Sequence, residues 1–396
     1  KEVNEIQEGS FYKCQTLTKV EISNNSNLKH IGKLAFISTS IENINIPRSV
    51  SENCNESFDE TTSITKFDVI TNSDENVESE SLFLFGSYYY EKKDYKMAAH
   101  YVKLSIDKDN AKAMFMYAFM LYEGEGIDKD LKEAAHYSKL SADKGIAGAM
   151  FMYAFMLYEG EGIDKDLKEA AHYFKLSADK GHDESIIMYA SMLYEGEGID
   201  KDLKESAHYF KLSADKGNDE AMNSYAMMLL KGEGIDKDLK EAVHYFKLSA
   251  DKGNAEAMFK YASMLFIGEG IDKDLKEAAH YFKLSADKGH AEAMFMNASM
   301  LYKGDGIDKD LKEAAHYFKL SADKGDTDAM RSYAIMLYKG DGIDKDLKEA
   351  AHYIKLSADK GNAEAMFMYA SMLYNGEGID KDLKEAARYF KLAADK

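Results

Sequence analysis

Eight histidines recur at a fixed spacing along this sequence of 396 residues, and they are the first residues that could perform chemistry. They are His100, His136, His172, His208, His244, His280, His316 and His352. A histidine ladder could bind zinc, but two zinc-bound nitrogens must each lie about 2.0 Å from the metal. Equivalent side chains of stacked helical units lie about 10 Å apart, since helix axes pack about 8–10 Å apart. The spacing therefore favours a solvent-exposed face without metal.

A Gly-x-Gly pair followed by Asp-Lys-Asp accompanies the histidines, first at Gly124, Gly126 and residues 128–130. The acidic residues suggest a calcium loop, but they lack the D-x-D-x-D-G spacing and the distal glutamate of such a loop. The glycines lack the preceding strand and the third glycine of a dinucleotide-binding fingerprint. We therefore expect a turn and a helix cap here.

Other functional classes find no support in the sequence. No Ser, Cys or Thr stands in a pattern that pairs it with a base and an orienting carboxylate, so we expect no enzyme, no cofactor and no small-molecule substrate. The formal net charge of −19 disfavours nucleic acid as a partner. The sequence has no run of about 18 apolar residues, so no membrane span is expected in this segment. Its two cysteines, Cys14 and Cys54, form neither a disulfide framework nor a CxxC site.

An internal repeat determines the organisation of residues 79–396. The string GIDKDLKEAAHYFKLSADKG returns every 36 residues in eight copies, and a shorter ninth copy without the glycine turn precedes them. In the first full copy, Met114, Tyr117, Ala118 and Leu121 form one apolar stripe of a helix from about Lys112 to Glu123, here called helix A. Asp130 and Glu133 then form a capping box that opens a second helix, helix B.

One such helix pair cannot bury its apolar stripe alone, whereas about nine stacked pairs bury a continuous core. We therefore predict a mainly α fold, a right-handed α-solenoid in which helix pairs form a superhelix. The small residue at Ala118 and its equivalents would let helix B approach helix A closely.

The repeat resembles a known family in the pattern A-x3-Y-A-x2-L-x2-G-x-G-I-x2-D-x3-A-x2-Y-x4-A-x2-G. This pattern is similar to the Sel-one-like repeat, a relative of the tetratricopeptide repeat. The resemblance covers about four fifths of the chain. It implies an adaptor that binds other proteins, and it carries no catalytic residues.

Residues 1–70 follow a different repeat of 22 to 25 residues. One aromatic and three apolar residues recur at similar spacing in three copies. The first copy has Phe11, Leu17, Val20 and Ile22, and the second has Phe36, Ile41, Ile44 and Ile46. The third copy, which matches less well, has Phe58, Ile64, Phe67 and Val69. This pattern predicts a short β-solenoid with one strand per turn. It resembles the BspA-type leucine-rich repeat, a recognition module of surface and adhesion proteins. We expect this module to be truncated at its start, and residues 71–81, which are acidic, to form a linker.

Differences between the copies locate the expected binding surface. Helix B is nearly invariant, whereas helix A varies in three columns at i, i+4 and i+8 on one face. In tetratricopeptide-like arrays the matching face lines the concave groove, so the resemblance places these columns at a partner-binding site. Neutral drift on an exposed face is the alternative. The candidate residues are Phe115, Phe119, Glu123, Phe151, Phe155, Glu159, Ile187, Glu195, Asn223, Lys231, Phe259, Phe295, Lys303, Arg331, Lys339 and Phe367.

The sequence thus predicts a protein-protein interaction scaffold that binds peptides or partner surfaces. Phenylalanine and glutamate in the first copies would favour a basic, apolar segment, and the later Lys and Arg residues would favour acidic groups. Two alternatives rest on the resemblances: a ubiquitin-ligase-associated quality-control adaptor of the endoplasmic reticulum, and a cell-surface adhesion protein. The cytoplasm is favoured, with the endoplasmic reticulum and cell surface open. Because the last copy stops before its terminal glycine, we expect the array to be cut at this end, and whether catalytic or membrane domains flank this segment stays open.

Overall fold

The computed structural model describes residues 75–396 and five short strands before them. The strands are β1 (Glu5–Ile6), β2 (Lys19–Glu21), β3 (His30–Ile31), β4 (Asn43–Ile46) and β5 (Lys66–Val69). Strands β1 and β3 pair in parallel, and β4 lies between β2 and β5.

The register of the strands places Val20 beside Ile44 and Ile44 beside Phe67. These are the positions that the shorter sequence repeat makes equivalent, so consecutive copies contribute neighbouring parallel strands. The rest of the predicted leucine-rich segment, including Cys14 and Cys54, lies outside the described residues.

Residues 75–396 form nine consecutive helix pairs in the described part of the chain, which confirms the predicted fold of helical repeats. The odd-numbered helices are the A helices: α1 (Glu75–Glu91), α3 (Ala111–Glu123), α5 (Ala147–Glu159), α7 (Asp183–Glu195), α9 (Asp219–Lys231), α11 (Ala255–Ile267), α13 (Ala291–Lys303), α15 (Thr327–Lys339) and α17 (Ala363–Asn375). The even-numbered helices are the B helices: α2 (Tyr95–Ile106), α4 (Leu131–Asp143), α6 (Leu167–Asp179), α8 (Leu203–Asp215), α10 (Leu239–Asp251), α12 (Leu275–Asp287), α14 (Leu311–Asp323), α16 (Leu347–Asp359) and α18 (Leu383–Ala394).

The predicted signals end helix A and begin helix B. Gly124 follows α3 in the left-handed conformation, with φ of +80°, and its N–H donates to the carbonyl of Met120 at 2.8 Å. A residue with a side chain would be strained at this φ. The side chain of Asp130 caps α4 by accepting a hydrogen bond from the N–H of Glu133 at 2.9 Å. The Asp-Lys-Asp turn therefore serves as a helix cap, as expected.

Only half of the predicted capping box forms. The N–H of Asp130 donates to the carbonyl of Leu121 in helix A at 3.0 Å, so it is not available to Glu133. The glutamate at this position instead contacts side chains of helix A and of the preceding repeat. Glu277, for example, accepts from the hydroxyl of Tyr261 at 2.9 Å and from Lys247 at 3.2 Å.

Recurring hydrogen bonds connect helices within repeats and between neighbouring repeats. Serine in helix B donates to the carbonyl at the start of the same repeat's helix A, as Ser285 does to Ala255 at 2.7 Å. Tyrosine in helix B reaches back to the aspartate that ends the previous helix B, as Tyr281 does to Asp251 at 2.6 Å. Ala118 is fully buried, consistent with close helix packing.

The second glycine of each Gly-x-Gly pair is also a packing residue. A Cβ atom on Gly162 would lie 2.1 Å from the carbonyl oxygen of Leu131, at the start of the preceding helix B. Because no heavy atoms approach so closely, only glycine fits between these repeats. The sequence pattern identified the turn but not this contact.

The predicted linker requires a correction, because Glu75–Ser81 lies within helix α1. Ser79 is buried, and its carbonyl accepts a hydrogen bond from the hydroxyl of Ser105 at 2.6 Å. Glu80 forms an ion pair with Lys112 at 2.8 Å. These contacts attach the acidic stretch to the helical array, while residues 71–74 lie outside the described part.

The described chain divides into two compact units. Residues up to Met192 with Gly196–Asp200 form the first, and Leu193–Glu195 with Lys201–Lys396 form the second. None of the described helices is both long and apolar enough to cross a membrane.

Candidate binding surface

Four of the five phenylalanines in the first variable column lie half-buried, and three of these pack against a phenylalanine of helix B. The ring of Phe151 lies 5.8 Å from that of Phe174, and Phe259 makes the same contact with Phe282 at 5.8 Å. Phe295 repeats this arrangement with Phe318 at 5.7 Å. These rings therefore contribute to the packing of their own repeat.

Two phenylalanines of the predicted set are substantially exposed: Phe119, at 41%, and Phe367, at 58%. Phe119 belongs to the second variable column, where Phe155 is its equivalent in the next repeat. Four later repeats carry serine in this column, at Ser191, Ser263, Ser299 and Ser371. The hydroxyl of Ser263 bonds to its own helix, donating to the carbonyl of Phe259 at 2.8 Å. The aromatic version of this column is thus confined to the first two full repeats.

Two adjoining pockets lie beside Phe115 and Phe119 in the first unit. The forward pocket, between α3 and α5, has a volume of about 310 Å³. The rear pocket, between α1 and α3, has a volume of about 440 Å³. The forward pocket is lined by Phe115, Phe119, Tyr122, Glu123, Gly148, Phe151, Met152, Phe155, Met156, His182 and Glu184. The rear pocket is lined by Phe83, Tyr90, Lys112, Phe115, Met116, Phe119 and Ile146.

Two unusual residues at the start of α5 shape these pockets. Ile146 occupies the N-cap position where equivalent repeats carry Asn, His or Asp, and it makes no side-chain cap hydrogen bond. Gly148 replaces a charged residue, and a Cβ there would lie 2.9 Å from the ring of Phe115. A missing cap costs about 1 kcal/mol, and glycine inside a helix costs about 0.5–1 kcal/mol. Ile146 and Gly148 therefore make helix α5 less stable at the end that lines the two apolar pockets.

Two acidic residues, Glu123 and Glu184, line the forward pocket, and the third variable column is also acidic in the first three full repeats. Glu123, Glu159 and Glu195, which form the acidic part of the third column, are all exposed. Glu161 is engaged within the protein, because it accepts a hydrogen bond from the hydroxyl of Tyr122 at 2.7 Å. That hydrogen bond, with burial, raises the pKa of Tyr122 to about 12. Glu123 and Glu184, which are both exposed, therefore place negative charge at the forward pocket.

His182 covers one side of the forward pocket. Its ring stacks on Phe151 with the centroids 4.8 Å apart, and its Nδ1 lies 3.4 Å from a carboxylate oxygen of Glu184. His290 makes the equivalent stack on Phe259 at 4.7 Å in a later repeat. Neither histidine belongs to the eight-residue ladder, and the sequence analysis did not select them.

The remaining predicted residues lie on later A helices. Ile187 is half-buried, and the Oδ1 atom of Asn223 is buried without a hydrogen-bond partner in the described part of the chain. Lys231 lies 3.8 Å from Glu233, and Lys303 and Lys339 are exposed.

The side chain of Arg331 forms ion pairs with two carboxylates of this protein. Its guanidinium lies 2.8 Å from Glu364 and 3.8 Å from Asp328. An acidic ligand would therefore compete with two carboxylates for this side chain.

The histidine ladder lies on the exposed face of helix B, as predicted. Each histidine packs edge-on against the tyrosine that follows it, as His136 does with Tyr137 at 5.4 Å. Among the described residues, no group of three or more His, Cys, Asp and Glu side chains is placed to hold a metal ion.

Sequence reasoning selected the phenylalanines but missed their partners across the pockets. Phe83 and Tyr90 come from the short first copy, which lacks the glycine turn and was not aligned column by column. Ile146 and Gly148 carried a usable signal, since they interrupt otherwise polar columns.

The stacked helix pairs and the aromatic groove between their A helices define a tetratricopeptide-like repeat protein. Nine consecutive segments over residues 81–396 match the Sel1 repeat model, so the chain belongs to the Sel1 repeat family. Residues 1–85 match the BspA type leucine rich repeat region in six copies, where the sequence analysis identified three. Both resemblances drawn from the sequence are confirmed. No curated protein matches the sequence.

Solved structures similar to this chain include two repeat proteins. The first is c5321, a protective antigen of uropathogenic Escherichia coli, with 25% identity and a TM-score of 0.75 over 80% of this chain and 68% of that one. The second is a Sel1 repeat protein from Oxalobacter formigenes, with 26% identity and a TM-score of 0.53 over 61% of this chain and 96% of that one. Sel1 repeat proteins are generally protein-protein interaction scaffolds, and their solenoid is typically non-catalytic.

Proposed function

We propose that this chain is an adaptor that captures an apolar, basic segment of a partner protein in the groove formed by α1, α3 and α5. The observation that carries the proposal is the coincidence of aromatic side chains with two destabilising residues in one place. Phe119 and Phe155 replace serine, while Ile146 and Gly148 replace a cap and a charged residue. An exposed apolar surface that is formed with a loss of helix stability is typical of a binding site.

Charge determines the kind of segment that would bind. The protein carries a net charge of −19, and Glu123 and Glu184 line the forward pocket. A segment with Lys or Arg beside its apolar residues would gain favourable electrostatics, which also speed encounter. An acidic segment would be repelled from this groove.

Serine substitution of the second column tests the groove. In Phe119→Ser/Phe155→Ser, each position receives the residue that four later repeats already carry, so the helices are expected to remain intact. Full burial of a phenylalanine is worth about 1.5–3 kcal/mol, so losing two partly buried contacts should weaken binding at least about tenfold. The matched control is His136→Ser/His172→Ser on the exposed face of helix B.

The probe is a random peptide library displayed on phage and selected on the immobilised full chain. We expect enriched peptides with bulky apolar residues beside Lys or Arg that bind the wild type and the histidine variant equally. Fluorescence polarisation of the enriched peptides then measures affinity for each variant. Enrichment that is equal on the serine variant and the wild type, or absent from both, would contradict the proposal.

A second candidate is a role at the cell surface. The BspA-type match over residues 1–85 and the structural similarity to a protective antigen favour it. Antibody labelling of intact source cells tests it: labelling only after permeabilisation would exclude this location.

A further inference from the structure

The two pockets beside Phe119 are neighbours rather than one cavity, and this arrangement constrains the ligand. Phe115 and Phe119 belong to the walls of both pockets. The rear pocket is closed on its far side by Phe83 of α1, and the forward pocket by Phe151 of α5. The pair on α3 therefore forms a ridge, and a ligand that fills both pockets must cross it.

We propose that the groove selects segments with two bulky apolar residues three positions apart in extended polyproline II conformation, one for each pocket. This inference rests on the proposed function and specifies its ligand. The pockets lie on either side of α3, so they are separated by about the diameter of one helix with its side chains, about 10 Å. A polyproline II segment rises about 3.1 Å per residue with three residues per turn, so residues i and i+3 project to the same side about 9 Å apart.

An extended segment fits this distance at little cost. Polyproline II is a major conformation of unfolded chains, so a short segment needs no prior folding to present two side chains at this separation. In a β-strand, residues i and i+3 point to opposite faces, so this spacing would not fill both pockets. A helix would present i and i+7 about 10 Å apart but would require a longer ordered segment.

Each pocket has one wall residue that can be changed separately. Ile146 lines only the rear pocket, and Phe155 lines only the forward pocket. Asparagine at 146 would restore the cap that Asn110 provides through the N–H of Ala113 at 3.0 Å. Serine at 155 would give the residue that the next repeat carries at Ser191, and it would remove one ring from the forward pocket. Both variants should therefore keep the fold while altering one pocket.

The test uses fluorescein-labelled peptides with two phenylalanines separated by one to six serines and flanked by lysines. We expect the tightest binding to the full chain at a separation of three positions, at least tenfold tighter than when either phenylalanine is serine. Ile146→Asn and Phe155→Ser should each weaken binding of the three-position peptide about tenfold. Each variant should bind the peptide with a single phenylalanine about as tightly as the wild type does. That phenylalanine can occupy the unaltered pocket, and the altered pocket then holds no side chain of the peptide.

The outcomes separate this inference from the proposed function. Binding that depends on Phe119 and Phe155 but is equal at every spacing, or is tightest at another spacing, overturns the two-pocket inference and leaves the adaptor proposal standing. If no peptide binds the wild type more tightly than Phe119→Ser/Phe155→Ser, both fail. Circular dichroism of each variant verifies that helix content is retained.

Discussion

Replacing Gly306 with alanine should damage the contact between repeats far more than replacing Gly289. Both glycines have positive φ, +71° and +95°, so alanine pays a backbone cost of about 1–2 kcal/mol at either position. At Gly306 the new Cβ would also lie 2.1 Å from the carbonyl oxygen of Leu275, whereas at Gly289 no atom lies within 4 Å. The turn must then move by about 1 Å, and such overpacking lowers the stability of Gly306→Ala by about 1–3 kcal/mol in addition to the backbone cost.

Hydrogen exchange read by mass spectrometry measures this difference locally, which suits a repeat array whose unfolding is not two-state. Gly306→Ala should lower the protection of α12 and α13 about tenfold or more beyond the effect of Gly289→Ala, since about 1.4 kcal/mol corresponds to a factor of ten. Equal loss of protection in the two variants would refute the view that the second glycine is required by repeat packing.

Three further predictions concern stability. Asn297 is fully buried where other repeats carry tyrosine, and both of its amide atoms lack hydrogen-bond partners in the described part of the chain. Asn297→Tyr should therefore stabilise α13 by about 2 kcal/mol, measured by urea-dependent hydrogen exchange. The reverse change, Tyr261→Asn, should destabilise α11. Asp166 caps α6 through the N–H groups of Lys168 and Glu169, so Asp166→Ala should cost about 1 kcal/mol; unchanged protection of α6 would contradict the cap. The pKa of Tyr122 is raised to about 12, mainly by its hydrogen bond to Glu161, so its contribution to stability is complete below pH 10 and is lost as pH rises through 12. Absorbance at 295 nm, which rises as tyrosines ionise, should show this late ionisation near pH 12 in the wild type, and Tyr122→Phe should reduce the rise near pH 12. A reduction near pH 10 instead would show that Tyr122 ionises with an ordinary pKa.

The helices, their caps and their order could be predicted because each depends on residues close in sequence. Gly124 and Asp130 act through their own backbone and the next turn, and the 36-residue repeat confirms them eight times. The parallel strand register, with Val20 beside Ile44, also follows from the repeat itself.

Contacts between repeats could not be predicted in the same way. The N–H of Asp130 meets the carbonyl of Leu121 only because the turn folds back on helix A, and this contact displaces half of the capping box. Likewise, the burial of Phe151 depends on Phe174 and His182, which lie 23 and 31 positions further along. The pockets arise from α1 and α5 meeting α3 on either side, so a single helix pattern does not reveal them.

Photo-crosslinking tests the central claim of partner capture most directly. A library-selected peptide carrying benzoylphenylalanine at one apolar position is irradiated with the full chain, and the modified residues are identified by mass spectrometry. Labelling of α3 and α5, centred on Met116, Phe119 and Phe155, is the predicted result. Labelling concentrated on the histidine face of helix B, or spread evenly over all repeats, would contradict it.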